Sequence, residues 1–245
     1  MKIVIIGDIH GRNVWKTIIN KEKDVNLILF LGDYVDTHEN YTGLEQVENL
    51  RQIIEYKQLC DAQKRWLTVG SDIPKMPEVI LLVGNHDFQY WPGIEDEVYS
   101  GFQPTMKTSF RYEFDTYKEL FQMCYIDKYD TIYSHAGFTE TFVEQKIGSF
   151  SEKNVNDVFK YKPYSFKFNH LDKSGCGDSI LQSCIWVRPN SLYKDKIDNF
   201  QVIGHTRSGQ IIHPEKSERK GFYIVDALPN QYLVRIDEKF IIENL

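Results

Sequence analysis

The sequence predicts an α/β fold, and three observations predict it. Short aliphatic or β-branched runs recur along the chain, each ending in glycine or serine. Stretches with helical periodicity lie between them. The tail holds closely spaced strands. Continuous apolar runs of this length read as strands buried on both faces.

Taken in order, Ile3-Val4-Ile5-Ile6 runs into Gly7-Asp8-Ile9-His10-Gly11, and Leu27-Ile28-Leu29-Phe30-Leu31 into Gly32-Asp33-Tyr34-Val35-Asp36. Residues 43–66 carry Leu44, Val47, Leu50, Ile53 and Ile54 at three- and four-residue spacing, a helix that covers one sheet. Val79-Ile80-Leu81-Leu82-Val83 ends in Gly84-Asn85-His86-Asp87. Residues 91–106, punctuated by Pro92, Gly93, Gly101 and Pro104, read as a loop, and residues 115–125 as a helix. Thr131-Ile132-Tyr133 leads into Ser134-His135-Ala136-Gly137. Ser151 caps a helix through Lys160, and residues 161–177 are irregular and aromatic. Val202-Ile203 leads into Gly204-His205-Thr206. The tail reads as strands at residues 222–225, 232–236 and 240–242, with a turn at Pro229-Asn230. There is no repeat and no low-complexity segment.

With 245 residues the chain forms one large domain or two small ones. The five glycine or serine blocks span most of it, so no cut leaves an intact set on one side, and a single domain over 1–245 is expected. A hydrophobic share of 42 % and an aromatic share of 14 % supply a sizeable core. No run approaches a membrane span. The first strand starts at residue 2 or 3, leaving no room for a signal peptide. Cys60, Cys124, Cys176 and Cys184 show no CxxC pairing, so free buried thiols and a cytoplasmic location are expected. A net charge of −6 argues against an extended nucleic-acid surface. It leaves phosphate ligands open, because bound metal ions reverse the local field.

The blocks carry the chemistry. Asp8 and His10 are two apart, so in extended chain both point to one face and can converge on one ion. An Asp or Asn after a strand, taken alone, is ordinary turn chemistry. Five blocks, each with oxygen or imidazole donors just past a strand end, where open α/β sheets place their active sites, make a site for two metal ions. Donors of this kind without cysteine suit Mn, Fe or Zn better than soft metals or Ca.

In order, letters and flanking strands the blocks resemble the calcineurin-like metallophosphoesterases, and within them the phosphoprotein phosphatase branch. The resemblance runs from residue 7 to at least residue 206. It implies a four-layer architecture of two mixed β-sheets packed as a sandwich and flanked by helices. It implies two divalent metal ions, Mn first with Fe or Zn as alternatives, held by Asp8, His10, Asp33, Asn85, His135 and His205. Asp33 resembles the carboxylate that bridges both ions, roughly 3.5–4 Å apart in two-metal sites. The ions' residual positive charge attracts a phosphate and lowers the pKa of a bridging water. The expected reaction is therefore in-line attack of a metal-bridging hydroxide on a phosphomonoester, with no covalent intermediate. His86 and Asp36 match the dyad of the resembling phosphatases, in which the imidazole protonates the leaving oxygen and the carboxylate orients it. A hydrogen-bonding support for the ligands is the competing role for His86.

The chain also departs from the branch. Asp36-Thr37-His38 stands where the branch usually reads Asp-Arg-Gly, so a phosphate-gripping arginine is missing. Asp87 stands where many protein phosphatases carry Glu, and Ser-His-Ala-Gly-Phe-Thr is closer to the symmetrical diadenosine tetraphosphate hydrolases. Arg207 occupies the place of a second His common in the superfamily's nucleases. Trp186-Val187-Arg188-Pro189 resembles a segment whose arginine faces the phosphate, which makes Arg188 the preferred clamp. Arg12 and Arg207 are further candidates, with a surface ion pair as the competing role for each. His38, His170 and His213 match no motif, and Cys176 marks a turn.

The expected partner is a phosphorylated protein or small phosphorylated molecule. A dinucleoside polyphosphate hydrolase is the alternative within enzymes, and a catalytically inactive binding scaffold the alternative outside them. The complete ligand set together with His86 favours an enzyme. Specificity is expected in residues 91–106 and 161–177. The oligomeric state is not written in the sequence.

Overall fold

A computed structural model of the chain describes residues 1–37, 39–66, 75–95, 97–171, 176–213 and 221–245. In chain order its main elements are β1 (Lys2–Ile6), α1 (Trp15–Lys21), β2 (Leu27–Phe30), α2 (Gly43–Trp66), β3 (Glu78–Leu82), α3 (Asn85–Phe88), α4 (Lys107–Tyr117), β4 (Phe121–Gln122), β5 (Cys124–Ile126), β6 (Ile132–Ser134), α5 (Glu140–Phe142), α6 (Glu152–Tyr161), α7 (Pro189–Asp195), β7 (Gln201–Ile203), β8 (Phe222–Ile224), β9 (Gln231–Ile236) and β10 (Lys239–Asn244). No helix among the described residues is long and apolar enough to cross a membrane.

The strands form two mixed sheets, ordered β10-β9-β1-β2-β3-β4 and β5-β6-β7-β8. Strands β1, β2 and β3 are parallel neighbours, as are β6, β7 and β8. Period-two alternation sends each strand's side chains to two different cores. Ile3 and Ile5, Leu27 and Leu29, Ile80 and Leu82, and Leu233 of β9 face the second sheet, where they meet Tyr133 and Val202. Val4, Ile6, Ile28, Phe30, Val79 and Leu81 face the other way, against Trp15 and Ile18 of α1 and Val47, Leu50, Ile53 and Ile54 of α2. On the far side of the second sheet, Ile203, Phe222 and Ile224 pack with Leu192 of α7. Helices, sheet, sheet and helix therefore stack in the expected four layers, and burial on both faces explains why the strands read as unbroken apolar runs.

A polar clamp ties the two sheets. Arg235 of β9 donates through Nη1 to Asp127 Oδ2 and to Thr131 Oγ1, both at 2.6 Å, and Tyr133 donates to Asp127 at 2.9 Å. The guanidinium lies over the rings of Tyr129 and Phe240, at 4.3 and 4.8 Å from their centroids.

Several expectations need correction. Residues 115–125 are helical only as far as Leu120: α4 ends at Tyr117, a 3-10 turn spans Lys118–Leu120, and β4 and β5 follow. Tyr117, Phe121 and Tyr125 recur at four-residue spacing, which mimics a helix. The chain instead pairs Phe121 with Leu81 of β3 and Cys124 with Ser134 of β6, so tertiary pairing overrides the local period. The true helix begins earlier, burying Phe110 and Phe114 within what the sequence leaves unassigned. In α2, Leu44 points to solvent although its apolar partners are buried. Of the tail strands, the one at 222–225 joins the second sheet in parallel with β7, while β9 and β10 run antiparallel in the first. Of the cysteines, Cys60, Cys124 and Cys184 are buried and Cys176 is exposed. Ser151 does cap α6, accepting from Asn154 N at 3.1 Å. His213 stacks on Tyr223 at 4.4 Å with Nδ1 3.2 Å from Phe222 O, a packing role, and His38 lies outside the described residues.

Candidate metal centre

Parallel register brings the C-terminal ends of β1, β2 and β3 to one edge of the first sheet, and those of β6 and β7 to the same edge of the second. The loops that leave these ends carry Asp8 and His10, Asp33 and Asp36, His135, and His205, and the first turn of α3 carries Asn85 and His86. Tight turns place them. His10, Asp33, Asp36 and His205 have φ of 45°, 51°, 61° and 64°, the left-handed region that Asp and His tolerate better than most residues. Backbone bonds stitch the loops together, from His10 N to Asp33 O (2.6 Å), Gly11 N to Tyr34 O (2.9 Å) and Gly204 N to His135 O (2.7 Å). Two glycines are required by close approach rather than by φ. A Cβ at Gly84 would overlap Asp33 Oδ1, and one at Gly204 would overlap Asp8 Oδ1.

Asp8, His10, Asp33, Asn85, His86 and His205 line one cavity of about 240 Å³, with Arg12, Arg188, Arg207 and Asp226 also on its wall. His135 is fully buried beneath it. Asp33 belongs to two donor groups, His10–Asp33–His86 and Asp8–Asp33–His135, in each of which the ligand atoms lie within 4.8 Å of one another. His10 Nε2 is 3.7 Å and His135 Nε2 3.3 Å from Asp33 Oδ2.

The imidazoles have set orientations. His10 Nδ1 lies 3.1 Å from Val35 O and 3.0 Å from Asp36 O, His135 Nδ1 lies 2.8 Å from Leu31 O, and His205 Nε2 lies 3.1 Å from Trp186 O. A carbonyl only accepts, so each of these nitrogens carries the proton, and in the neutral ring the other carries a lone pair. The lone pair of His205 Nδ1 then faces Asn85 Oδ1 at 2.8 Å, and His135 Nε2 lies 3.0 Å from the same oxygen. Acceptors that converge on one another repel unless a cation sits among them, and a backbone carbonyl on the far nitrogen is the usual support of a ligating imidazole. The donor set therefore fits metal ions.

Electrostatics agree. Burial lowers His10 to about 4 and takes His205 well below its ordinary value, so both are neutral ligand-type imidazoles. Burial also pulls on His135, but Asp33 and Asp8 outweigh it and push it up to about 10. That position takes up positive charge, as a second proton or as a metal ion. Burial opposes ionisation of Asp33 too, yet His135, His86 and His10 hold it well below the carboxylate range.

His86 differs from these three imidazoles. Its Nδ1 faces not a carbonyl but the buried Asp36 carboxylate, at 3.4 Å. Burial pulls its pKa down, and Asp33 and Asp36 together raise it above the ordinary value. Asp36 is itself fixed by Tyr90 Oη at 2.6 Å, by Gln103 Nε2 at 3.1 Å and by the Gln89 amide. Asp87 accepts from Asp33 N, Tyr34 N and Gly84 N at 2.8, 2.8 and 2.9 Å, pinning the second block to the third. The shorter carboxylate thus has a backbone-bracing place of its own.

The arginines separate. Arg188 is held at the cavity mouth by Nε to Cys176 O and Nη1 to His205 O, both 2.9 Å, and by Nη1 to Thr206 Oγ1 at 3.3 Å. Arg12 is buried, with Nε on Glu39 at 2.8 Å and Nη1 on Asp8 O at 3.3 Å. Arg207 is exposed and lies 3.9 Å from the same Glu39 carboxylate. Thr37, where the branch has arginine, accepts Glu39 N at 2.9 Å and so shapes the turn that presents Glu39 to Arg12.

Two residues escaped the sequence reading. Glu39 is one. The other is Asp226, buried in the cavity wall after β8 and pushed up to about 6 by burial and by Asp33. It obeys the same rule as the five blocks, an acid just past an apolar run. Without a glycine or histidine beside it, the run at 222–225 reads only as a strand.

The sequence model of calcineurin-like phosphoesterases matches residues 1–222. No curated protein matches the chain by sequence. Among solved structures, a point mutant of a cold-active protein tyrosine phosphatase aligns with a TM-score of 0.65 at 15 % identity, covering 99 % of this chain and 77 % of that one. A protein serine/threonine phosphatase from Saccharomyces cerevisiae aligns with a TM-score of 0.57 at 15 % identity, covering 100 % and 79 %. At such identities the likeness establishes the fold alone.

Proposed function

Because the chain belongs to the calcineurin-like phosphoesterase family and is thereby a hydrolase of phosphate esters, we propose that it is a two-metal phosphomonoesterase acting on a phosphorylated protein or small molecule. The observation that carries this reading is the sharing of Asp33 between two donor groups. By the family resemblance Asp8, His10 and Asp33 would hold one ion, and Asp33, Asn85, His135 and His205 the other, with Asp8 lying within reach of His135 across Asp33. Divalent ions there, Mn in the first place, would supply Lewis-acid polarisation of the phosphoryl oxygens and an activated water.

The chain's own groups do the rest. The His86 ring falls within one donor group, yet its Nδ1 leans on a carboxylate rather than a carbonyl, which favours its protonated form. His86 gives that proton to the leaving ester oxygen, and Asp36 orients the ring. Arg188, with Nε and Nη1 committed to two backbone carbonyls and Thr206, keeps its positive charge and the two N–H groups of Nη2 for the non-bridging phosphate oxygens. Arg12 and Arg207, drawn to Glu39, add positive potential to the same cavity. The test is hydrolysis of a panel of phosphopeptides, nucleotides and aryl phosphates by stripped protein with and without added Mn. Metal-dependent monoesterase activity supports the reading. Cleavage confined to dinucleoside polyphosphates would replace it with the alternative hydrolase.

A further inference from the structure

A second cleft, of about 450 Å³, adjoins the metal cavity and shares Asn85, His86 and Arg188 with it. Its far side is aromatic. Tyr99 and Trp186 have ring centroids 4.3 Å apart, Phe168 and Trp186 5.1 Å, and Tyr99 and Phe168 6.0 Å. This cluster is tied to the chemistry on both sides. The Trp186 carbonyl fixes His205 at 3.1 Å. Tyr99 N donates at 2.9 Å to Gln89 Oε1, whose amide in turn bonds Asp36. Gly101 packs on the dyad, where a Cβ would stand 3.3 Å from His86 Cε1. Described residues of the two segments that no motif explained, Val98 to Ser100 from 91–106 and Phe168, His170 and Cys176 from 161–177, thus meet at one cleft. No described residue on its wall is a carboxylate.

Direction follows from the proposed function, on which this inference rests. A phosphate held between Arg188 and the metal donors, with His86 protonating the ester oxygen, must send its leaving group past His86. The cleft lies there. We propose that it is the leaving-group subsite and that it takes a flat aromatic ring, making the substrate an aryl phosphate. A phenolic ring in the cleft packs on the contiguous surface of Tyr99, Phe168 and Trp186 with the offset and edge contacts that aromatic pairs prefer. The short methylene of an alkyl phosphate would leave those rings to water. A free aryl phosphate and a phosphorylated tyrosine side chain in a protein share this chemistry.

Rates cannot test this alone, since phenols leave faster than alcohols on any enzyme. The test is therefore binding of non-hydrolysable benzylphosphonate and methylphosphonate to Mn-loaded protein, by calorimetry. Benzylphosphonate should bind about tenfold tighter or more. The ratio should fall toward one in Phe168→Leu and in Tyr99→Leu, each checked by circular dichroism. Equal affinities in the wild type, an undiminished ratio in both folded variants, or tighter binding of adenosine 5′-monophosphate than of benzylphosphonate would overturn the subsite. If inorganic phosphate does not bind and 4-nitrophenyl phosphate is not cleaved, the phosphoesterase site itself fails and the subsite with it. Phosphate binding with equal phosphonate affinities overturns the subsite alone. A higher kcat/KM for a phosphotyrosyl peptide than for free phosphotyrosine assigns the ring to a protein, and equal values assign it to a small molecule; both support the aryl subsite.

Discussion

The Nε2 of His135 lies 3.3 Å from Oδ2 of Asp33. One residue comes from a loop of the first sheet and the other from a loop of the second, so this contact closes the sandwich at its catalytic edge. Asp33 also faces His10, at 3.7 Å. Asp33→Asn should therefore abolish activity and most metal binding while the fold persists, because the side chain keeps its shape and loses only the charge between two donor groups. Metal content by mass spectrometry and far-UV circular dichroism check it together. Retained stoichiometry in the folded variant would remove Asp33 from the bridging position.

His86→Ala should leave metal bound but slow hydrolysis, by about 10²–10⁴ for a lost general acid. The loss should be largest for alkyl phosphates and smallest for 4-nitrophenyl phosphate, whose leaving group needs little protonation. Equal losses for both would return His86 to a supporting role. Asp36→Asn should show the same leaving-group dependence in weaker form, since it acts through the ring.

Arg188→Ala should raise KM and lower kcat, at a combined cost of about 2–4 kcal/mol. Lysine should rescue only part of this, because it keeps the charge but not the paired bonds to Cys176 O and His205 O that fix its direction. Wild-type kinetics with unchanged inhibition by inorganic phosphate would pass the clamp to Arg12 or Arg207.

Stability makes a separate prediction at the sheet clamp. Arg235→Met leaves the Asp127 carboxylate buried without its cation, which should cost about 3–5 kcal/mol in urea denaturation. Asp127 also accepts from Tyr129 N, Thr131 N and Tyr133 Oη, so Asp127→Leu/Arg235→Met should cost less than the sum of the two single changes rather than less than either. A double variant as unstable as the sum of the two singles would mean that the pair is not coupled.

Much of this was legible because the code is local. Ile3–Ile6, Leu27–Phe30 and Val79–Leu82 are buried on both faces, so each strand is written as an apolar run, and the donors follow it directly. The rest depends on what lies across space. Strands β4 and β5 are two and three residues long and exist only through their pairing with β3 and β6. Leu44 sits at a helical apolar position, yet it lies exposed. Asp226 joins the site because β8 is parallel to β7, a register that no feature of residues 222–226 announces. The aromatic cleft is built from Tyr99, Phe168 and Trp186, far apart in sequence and joined only by the fold.

The central claim is that two metal ions, bridged through Asp33, make this chain a phosphoesterase. The most direct measurement titrates Mn into exhaustively stripped protein while following bound metal and 4-nitrophenyl phosphate hydrolysis in the same sample. Two equivalents should bind, and activity should rise from background to its plateau as the second site fills. Full activity in the stripped protein, or a plateau at one equivalent, would contradict it.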